Sequence, residues 1–252
     1  MKTFKVEMQD IHKSFGSKHV LRGVNLEVKQ GESLVIIGGS GTGKSVAIKT
    51  ILGLIKSDSG KILIDGKDIS KASGKERDEM LGKCSMLFQA GALFDSMSVW
   101  ENVAFGLTQG QKMPKKKAYP IAIEKLKAVG LNEDIAQQYP AELSGGMQKR
   151  VSLARAIATN PDIIFFDEPT TGLDPIMADV INNLIRKTVK ELGATAISIT
   201  HDMASVRKIA DSVAMIYEGK IIWHGPIEKL ENSGNEYVDQ FIHGKEDGPI
   251  QF

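Results

Sequence analysis

The sequence predicts an α/β fold with a largely parallel sheet at its core, and three observations carry that expectation. The first is Gly38-Gly39-Ser40-Gly41-Thr42-Gly43-Lys44-Ser45, which has the spacing G-x-x-x-x-G-K-[S/T]. The apolar run Leu34-Val35-Ile36-Ile37 before it suits a buried strand, and Val46, Ile48, Ile51, Leu52 and Ile55 after it recur at helical spacing. The second is the alternation of strand and helix signals from Ile163 onward: Ile163–Phe166, Ile176–Leu192, Ala194–Thr200, Met203–Ala210 and Ser212–Tyr217. Such alternation implies parallel strands joined by right-handed crossovers. The third is Ile163-Ile164-Phe165-Phe166-Asp167-Glu168, an apolar strand that delivers two carboxylates to its C-terminal end, where α/β proteins bind ligands.

Taken in order, the chain opens with strands. Phe4, Val6 and Met8 alternate with charged or polar residues, and Val20 to Val28 is strand-like around Arg22-Gly23, which predicts an N-terminal antiparallel β-subdomain. Ser59-Gly60 and Asp65-Gly66 are turn signals bracketing the strand Lys61-Ile62-Leu63-Ile64. Lys75 to Leu81 reads as helix and Cys84 to Phe88 as strand. Between Gln89 and Leu143 the strand signal disappears. Val99 to Leu107 and Ala118 to Val129 have helical periodicity, with Gly130 closing the second, so an inserted helical subdomain is expected. The organisation predicted is one domain, 1–252, with a core at about 1–89 and 159–225, helices at about 90–158, and a C-terminal helix and tail at about 226–252. Tyr237, Val238, Phe241 and Ile242 share one helix face, Gly244 ends the helix, and Ile250 and Phe252 give the tail two apolar residues. That tail either lies loosely on its own domain or reaches a second copy of the chain.

Hydrophobic residues make up 42% and charged residues 25% of the chain, the balance of an ordinary globular protein. A net charge of +1 gives no global field toward nucleic acid or anionic lipid, so no nucleic-acid partner is expected. The one dense basic run, Lys112, Lys115, Lys116 and Lys117, reads as a solvated face. Cys84 is the sole cysteine, which rules out an internal disulfide and fits a reducing compartment. No stretch approaches the roughly 18 apolar residues of a spanning helix, and Met1-Lys2-Thr3-Phe4 does not begin a signal peptide. Any membrane role is therefore expected through a partner.

The glycine-rich loop is built for phosphate, since its backbone wraps close to an anion where a Cβ would collide with oxygens. Lys44 supplies a point charge to β and γ phosphates, the Ser45 hydroxyl ligates Mg²⁺, and the helix opening at Val46 turns its N-terminus toward the anion. The expected ligand is a nucleoside triphosphate. Asp167 would orient Mg²⁺ through coordinated water, and Glu168 would accept a hydrogen bond from the water attacking the γ-phosphate. Leu143-Ser144-Gly145-Gly146-Met147-Gln148 is a second motif, in which Ser144 can cap a helix carrying Met147, Val151 and Ala154 on one face. In isolation it is an ordinary capped helix. Beside the phosphate loop it suggests a second anion site, offered to another subunit.

Leu-Ser-Gly-Gly-Met-Gln, the phosphate loop and Asp167-Glu168 together resemble the ATP-binding subunits of ABC transporters, over nearly the whole chain. The resemblance implies an ATPase of the P-loop type working as a head-to-tail homodimer, with each ATP between one phosphate loop and the Ser144-Gly145-Gly146 of the other copy; Gln148 belongs to the same motif. It implies that Gln89 joins the Mg²⁺ site to the helical subdomain and that His201, after the strand Ala196–Thr200, is the switch histidine reaching the γ-phosphate. Phe15 falls where such subunits stack an aromatic on adenine; Tyr is more usual, and Phe keeps the ring face while losing the hydroxyl. The alternative for Phe15 is a packing aromatic. Thr171-Gly172-Leu173-Asp174 occupies the loop that crosses the dimer interface, where Ser-Ala-Leu-Asp is common; Asp174 matches and Gly172 departs.

Phe88-Gln89-Ala90-Gly91-Ala92-Leu93-Phe94-Asp95-Ser96-Met97-Ser98-Val99, the phosphate loop and the ending Asp247-Gly248-Pro249-Ile250-Gln251-Phe252 are similar to the ATPase subunits of Mla-type, lipid-asymmetry transporters. This resemblance implies phospholipid movement between inner and outer membranes, from the cytoplasmic face of the inner membrane. The implied partners are an integral permease, an Mce-domain lipid-binding protein and a small STAS-domain subunit. Three alternatives stand beside it: a soluble ABC ATPase for iron–sulfur assembly, a transporter of another substrate, and a DNA-repair or chromosome-structuring ATPase. The last needs two long helical arms between the phosphate loop and Ser144, and about 100 residues leave no room for them.

Overall fold

The structure is a computed structural model that describes residues 4–251. In chain order its elements are β1 (Phe4–Phe15), β2 (Lys18–Lys29), β3 (Ser33–Ile37), α1 (Lys44–Ile51), β4 (Ser59–Ile64), β5 (Lys67–Asp68), α2 (Gly74–Leu81), β6 (Cys84–Leu87) and α3 (Val99–Val103). There follow α4 (Lys115–Ala128), α5 (Gly145–Ile157), β7 (Ile163–Asp167), α6 (Pro175–Leu192), β8 (Thr195–Ile199), α7 (Met203–Ile209), β9 (Ser212–Tyr217), β10 (Lys220–Pro226) and α8 (Glu236–His243). They form two compact units, 1–81 with 195–252, and 82–194.

The first unit holds an antiparallel sheet in the order β2-β1-β4-β5. On it Val6, Met8, Ile11, Leu21, Val24, Leu26 and Val28 are buried, as the alternation in sequence requires. The same unit holds β10-β9-β3-β8, in which β3 runs parallel to both β8 and β9, and β10 turns back antiparallel on β9. All five residues of β3 and all five of β8 are buried, which is why they read as continuous apolar runs.

Helix α8 carries its apolar stripe as expected, with Val238 and Ile242 buried and Gly244 at φ 62° ending it. Buried within that helix, Gln240 donates through Nε2 to the carbonyls of Glu246 (3.2 Å) and Ile250 (3.1 Å), and its Oε1 accepts from the Ile250 N–H (2.7 Å). The tail through Ile250 is thus fastened to the helix of its own chain, while Phe252 lies outside the described residues.

In the second unit β6 and β7 pair in parallel, and α3, α4 and α5 pack against one another. Helix α3 is shorter than the periodicity of Val99 to Leu107 predicts. It ends at Val103, and Gly106–Gly110 forms a π-helical turn instead, closed by Gln111 N–H donating to Gly106 O at 3.0 Å. Two glycines in five residues weaken the α-helical preference enough for the wider turn to win. Asn102, fully buried, accepts from the Phe94 N–H and donates to the carbonyls of Phe94, Met97 and Ser98, which fixes the loop leading into α3. The lysines at 112, 115, 116 and 117 are all exposed, as the charge pattern predicts.

Candidate functional site

In the first unit β3 runs into the loop 38–43, and α1 begins at Lys44. The loop tolerates no side chain at its ends. A Cβ on Gly38 would lie 2.3 Å from the carbonyl oxygen of Ile216 on β9, and one on Gly43, at φ 108°, would lie 2.9 Å from Leu21 Cδ2. A Cβ on Gly41 would meet nothing within 4 Å, so that stretch of backbone borders open space. Thr42 Oγ1 donates to Gly39 O at 2.9 Å, and Lys44 Nζ donates to the carbonyls of Gly38 and Gly39, each at 2.8 Å. The ammonium is therefore folded over the loop it belongs to, while Ser40 stands exposed on the outside.

A cavity of about 320 Å³ opens on this loop, lined by Phe15, Lys18, Val20, Gly41, Gly43, Lys44, Ser45 and Val46. Phe15 is 50% exposed, so its ring is available to a ligand and is not a core aromatic; Lys13 Nζ lies 5.3 Å from its centroid. His201 is exposed between the buried Thr200 and Asp202, whose carboxylate caps α7 by accepting from the N–H groups of Ala204 and Ser205.

The second unit carries the other candidates. Asp167 is buried at the end of β7. Glu168 follows it with φ 48°, a left-handed backbone that a non-glycine residue adopts only under constraint, and its Oε2 accepts from Thr171 Oγ1 at 3.0 Å. Gln89 lies exposed after β6, and its carbonyl accepts from the buried Lys149 Nζ. Burial pushes the Lys149 ammonium below its ordinary range, against which Asp167 and then Glu168 pull it back.

Ser144 caps α5, its Oγ accepting from Met147 N–H at 3.3 Å, which leaves the glycine-rich first turn open. Gln148 braces that start by donating to the carbonyls of Pro140 (2.8 Å) and Leu143 (3.4 Å). Asp174 caps α6 through the N–H groups of Ile176 and Met177, both at 3.0 Å. A Cβ on Gly146 would lie 2.6 Å from Met177 Cε, so the starts of α5 and α6 touch because position 146 is glycine.

The cavity also includes Lys18 and Val20, which the sequence reading omits. The turn Gly16-Ser17 was the available signal, since it returns β2 beside the end of β1. Lys149 has no place in that reading, and Thr171 enters it only through the interface loop, not as a partner of Glu168. Only the spacing of Thr171, three residues after Glu168, gave any hint.

This geometry defines a nucleotide-binding cassette, and comparison with known proteins gives its family. The pattern of the ABC transporter family matches residues 21–171, and the chain belongs to that family; it binds and hydrolyses ATP. It is 41% identical over 247 residues to the intermembrane phospholipid transport system ATP-binding protein MlaF of Haemophilus influenzae, covering 98% of this chain and 93% of that one. It is 40% identical over 245 residues to the probable ribonucleotide transport ATP-binding protein mkl of Mycobacterium leprae, covering 97% and 70%. Among solved structures it is similar to the dimeric ATP-binding cassette MJ0796 in a post-hydrolysis state bound to ADP and Pi. That likeness has a TM-score of 0.80 at 31% identity and covers 88% of this chain and 98% of the other.

Proposed function

We propose that this chain is the ATP-hydrolysing subunit of a transporter that moves phospholipid between the inner and outer membranes. It works as a homodimer on the cytoplasmic face of the inner membrane, held there by an integral permease, with an Mce-domain lipid-binding protein and a STAS-domain subunit as further partners. The observation that carries the nucleotide part is that one cavity is lined by Phe15, Gly41, Gly43, Lys44 and Ser45 together. The cargo is argued from the relatives: the phospholipid protein MlaF is matched over 93% of its length, the ribonucleotide protein mkl over 70%. No helix among the described residues is long and apolar enough to cross a membrane, which agrees with attachment through a permease.

Phe15 stacks on adenine, while the loop N–H groups and Lys44 take the β and γ phosphates. Binding phosphate gives Lys44 an anionic acceptor in place of the carbonyls of Gly38 and Gly39. Ser45, Gln89 and Asp167 would hold Mg²⁺; hydroxyl, amide and carboxylate oxygens are hard donors that suit this ion. When bound, Mg²⁺ neutralises charge developing on the phosphate oxygens. Glu168 aligns the attacking water and accepts from it, with Thr171 orienting the carboxylate. His201 contacts the γ-phosphate, and Ser144, Gly145 and Gly146 of the second copy, supported by its Gln148, close over it; Asp174 lies at the interface of the two copies.

Affinity capture of the full chain from its host membranes, with identification of what travels with it, tests the assembly. ATP-driven transfer of labelled phospholipid between vesicles by the captured complex tests the cargo. Recovery without a permease, or ATP-driven transfer of ribonucleotide with none of phospholipid, would overturn this reading.

A further inference from the structure

Helix α5 carries Lys149, Ser152 and Arg155 three residues apart, so all three lie along one face. Each grips the main chain that follows β6. Lys149 Nζ donates to Gln89 O, and Ser152 Oγ donates to Gly91 O at 3.1 Å. Arg155 donates to Gly91 O at 2.6 Å and to Ala92 O at 2.7 Å, with its guanidinium 5.8 Å from the centroid of Phe94. Gly91, at φ 75°, admits Ser152 only because it is glycine; a Cβ there would sit 2.7 Å from the hydroxyl oxygen. Lys149 differs from its two companions in what else it meets. It is 8% exposed, and the carboxylates of Asp167 and Glu168 act on its charge. A lysine stem ordinarily carries its ammonium out to water. An ammonium that stays inside needs hydrogen bonds and opposite charge, and here the Gln89 carbonyl and the two acids supply them.

We infer that Lys149 is a positioning residue that fixes the backbone of Gln89, making loop 89–92 one rigid piece with the helix that starts at Ser144. This rests on the proposed reading of Gln89, Asp167 and Glu168 as groups of the ATP site. Its consequence is mechanical. Any displacement of α5 by phosphate at Ser144 carries Gln89 with it, with no intervening flexible joint.

The test compares full-length Lys149→Met and Lys149→Arg with the parental chain, reading steady-state ATP hydrolysis and amide hydrogen exchange. Methionine keeps the stem and removes the charge; arginine keeps the charge and the donors. Lys149→Met should lower kcat about tenfold or more, the scale of one lost charge-assisted hydrogen bond, with KM for ATP changed less than twofold. Exchange should rise at 89–92 and stay unchanged in β3 and β8. Lys149→Arg should recover most of both effects. Parental kcat and parental exchange in Lys149→Met would overturn the inference. So would a rise in exchange spread over the whole chain, or a loss that arginine does not repair. Glu168→Gln measured in parallel keeps the two claims apart: parental turnover in that variant would sink the assignment of the carboxylate, while exchange at 89–92 would still report whether Lys149 holds Gln89.

Discussion

The side-chain amide of Gln240 makes a two-way bridge to the main chain of Ile250, donating at 3.1 Å and accepting at 2.7 Å. Because Gln240 is buried, its removal strands main-chain groups that the tail cannot easily satisfy otherwise. Gln240→Ala should cost about 1–3 kcal/mol of stability, roughly 2–4 °C in Tm per kcal/mol for a chain of this size. ATP binding should be unaffected. Thermal unfolding with and without nucleotide checks both halves, and an unchanged Tm would mean that the bridge contributes nothing.

Glu168→Gln should leave nucleotide affinity within about twofold while turnover falls on the order of a hundredfold or more, because the water loses its base. Lys44→Ala should instead weaken binding itself. Fluorescent-nucleotide titration paired with phosphate release separates the two outcomes.

Gly41 and Gly38 offer a contrast within one loop. Gly41→Ala adds a methyl to open space at φ 73° and should cost only about 1 kcal/mol in folding, yet it intrudes on the cavity and should reduce ATP affinity. Gly38→Ala drives its methyl against the Ile216 carbonyl and should unfold or grossly destabilise the chain. If Gly41→Ala bound ATP normally, the phosphates would lie elsewhere.

Sharing of sites between copies is tested with mixed dimers of damaged chains. Combining a Lys44→Ala chain with a Ser144→Arg chain concentrates both lesions in one proposed site and spares the other. Placing both changes in one chain damages each site once. Nucleotide trapping should survive only in the first arrangement, and survival only in the second would mean that each copy completes its own site.

His224 is exposed on β10, yet the chain packed beside its imidazole removes enough water to hold it below its ordinary value of 6.5, Lys29 adding slightly and Glu32 and Glu27 opposing. A histidine depressed in the folded state binds fewer protons there than when unfolded, so stability falls as pH drops through 6.5 toward the lower folded value. His224→Gln should flatten the stability profile in that window. Glu101, depressed by Lys115 and by Ser98, acts only near and below 4.5 and should be untouched. Chemical denaturation between pH 8 and pH 5 measures the difference.

What the chain declares in advance is the chemistry written within a few consecutive residues. The glycine-rich loop before Lys44, the cap at Ser144 and the buried run Ile163–Phe166 are all local patterns, and each folds as its pattern predicts; the cap at Asp174 emerges only from the structure. Strand β10 escaped detection because Lys-Ile-Ile-Trp-His-Gly-Pro is only half buried and does not alternate. Lys149 and Gln240 escaped for another reason. Their identities suggest surface residues, and only the fold brings Lys149 to a carbonyl 60 positions away and Gln240 to one 10 positions on.

The backbone at Glu168 also says something about how far this protein can be hardened. At φ 48° a glycine or asparagine would sit more comfortably than a glutamate, so the chain gives up durability at the carboxylate proposed to align the attacking water. Glu168→Gly should therefore melt higher and turn over nothing. Selecting variants for heat resistance alone would be expected to extinguish the motor at this position first.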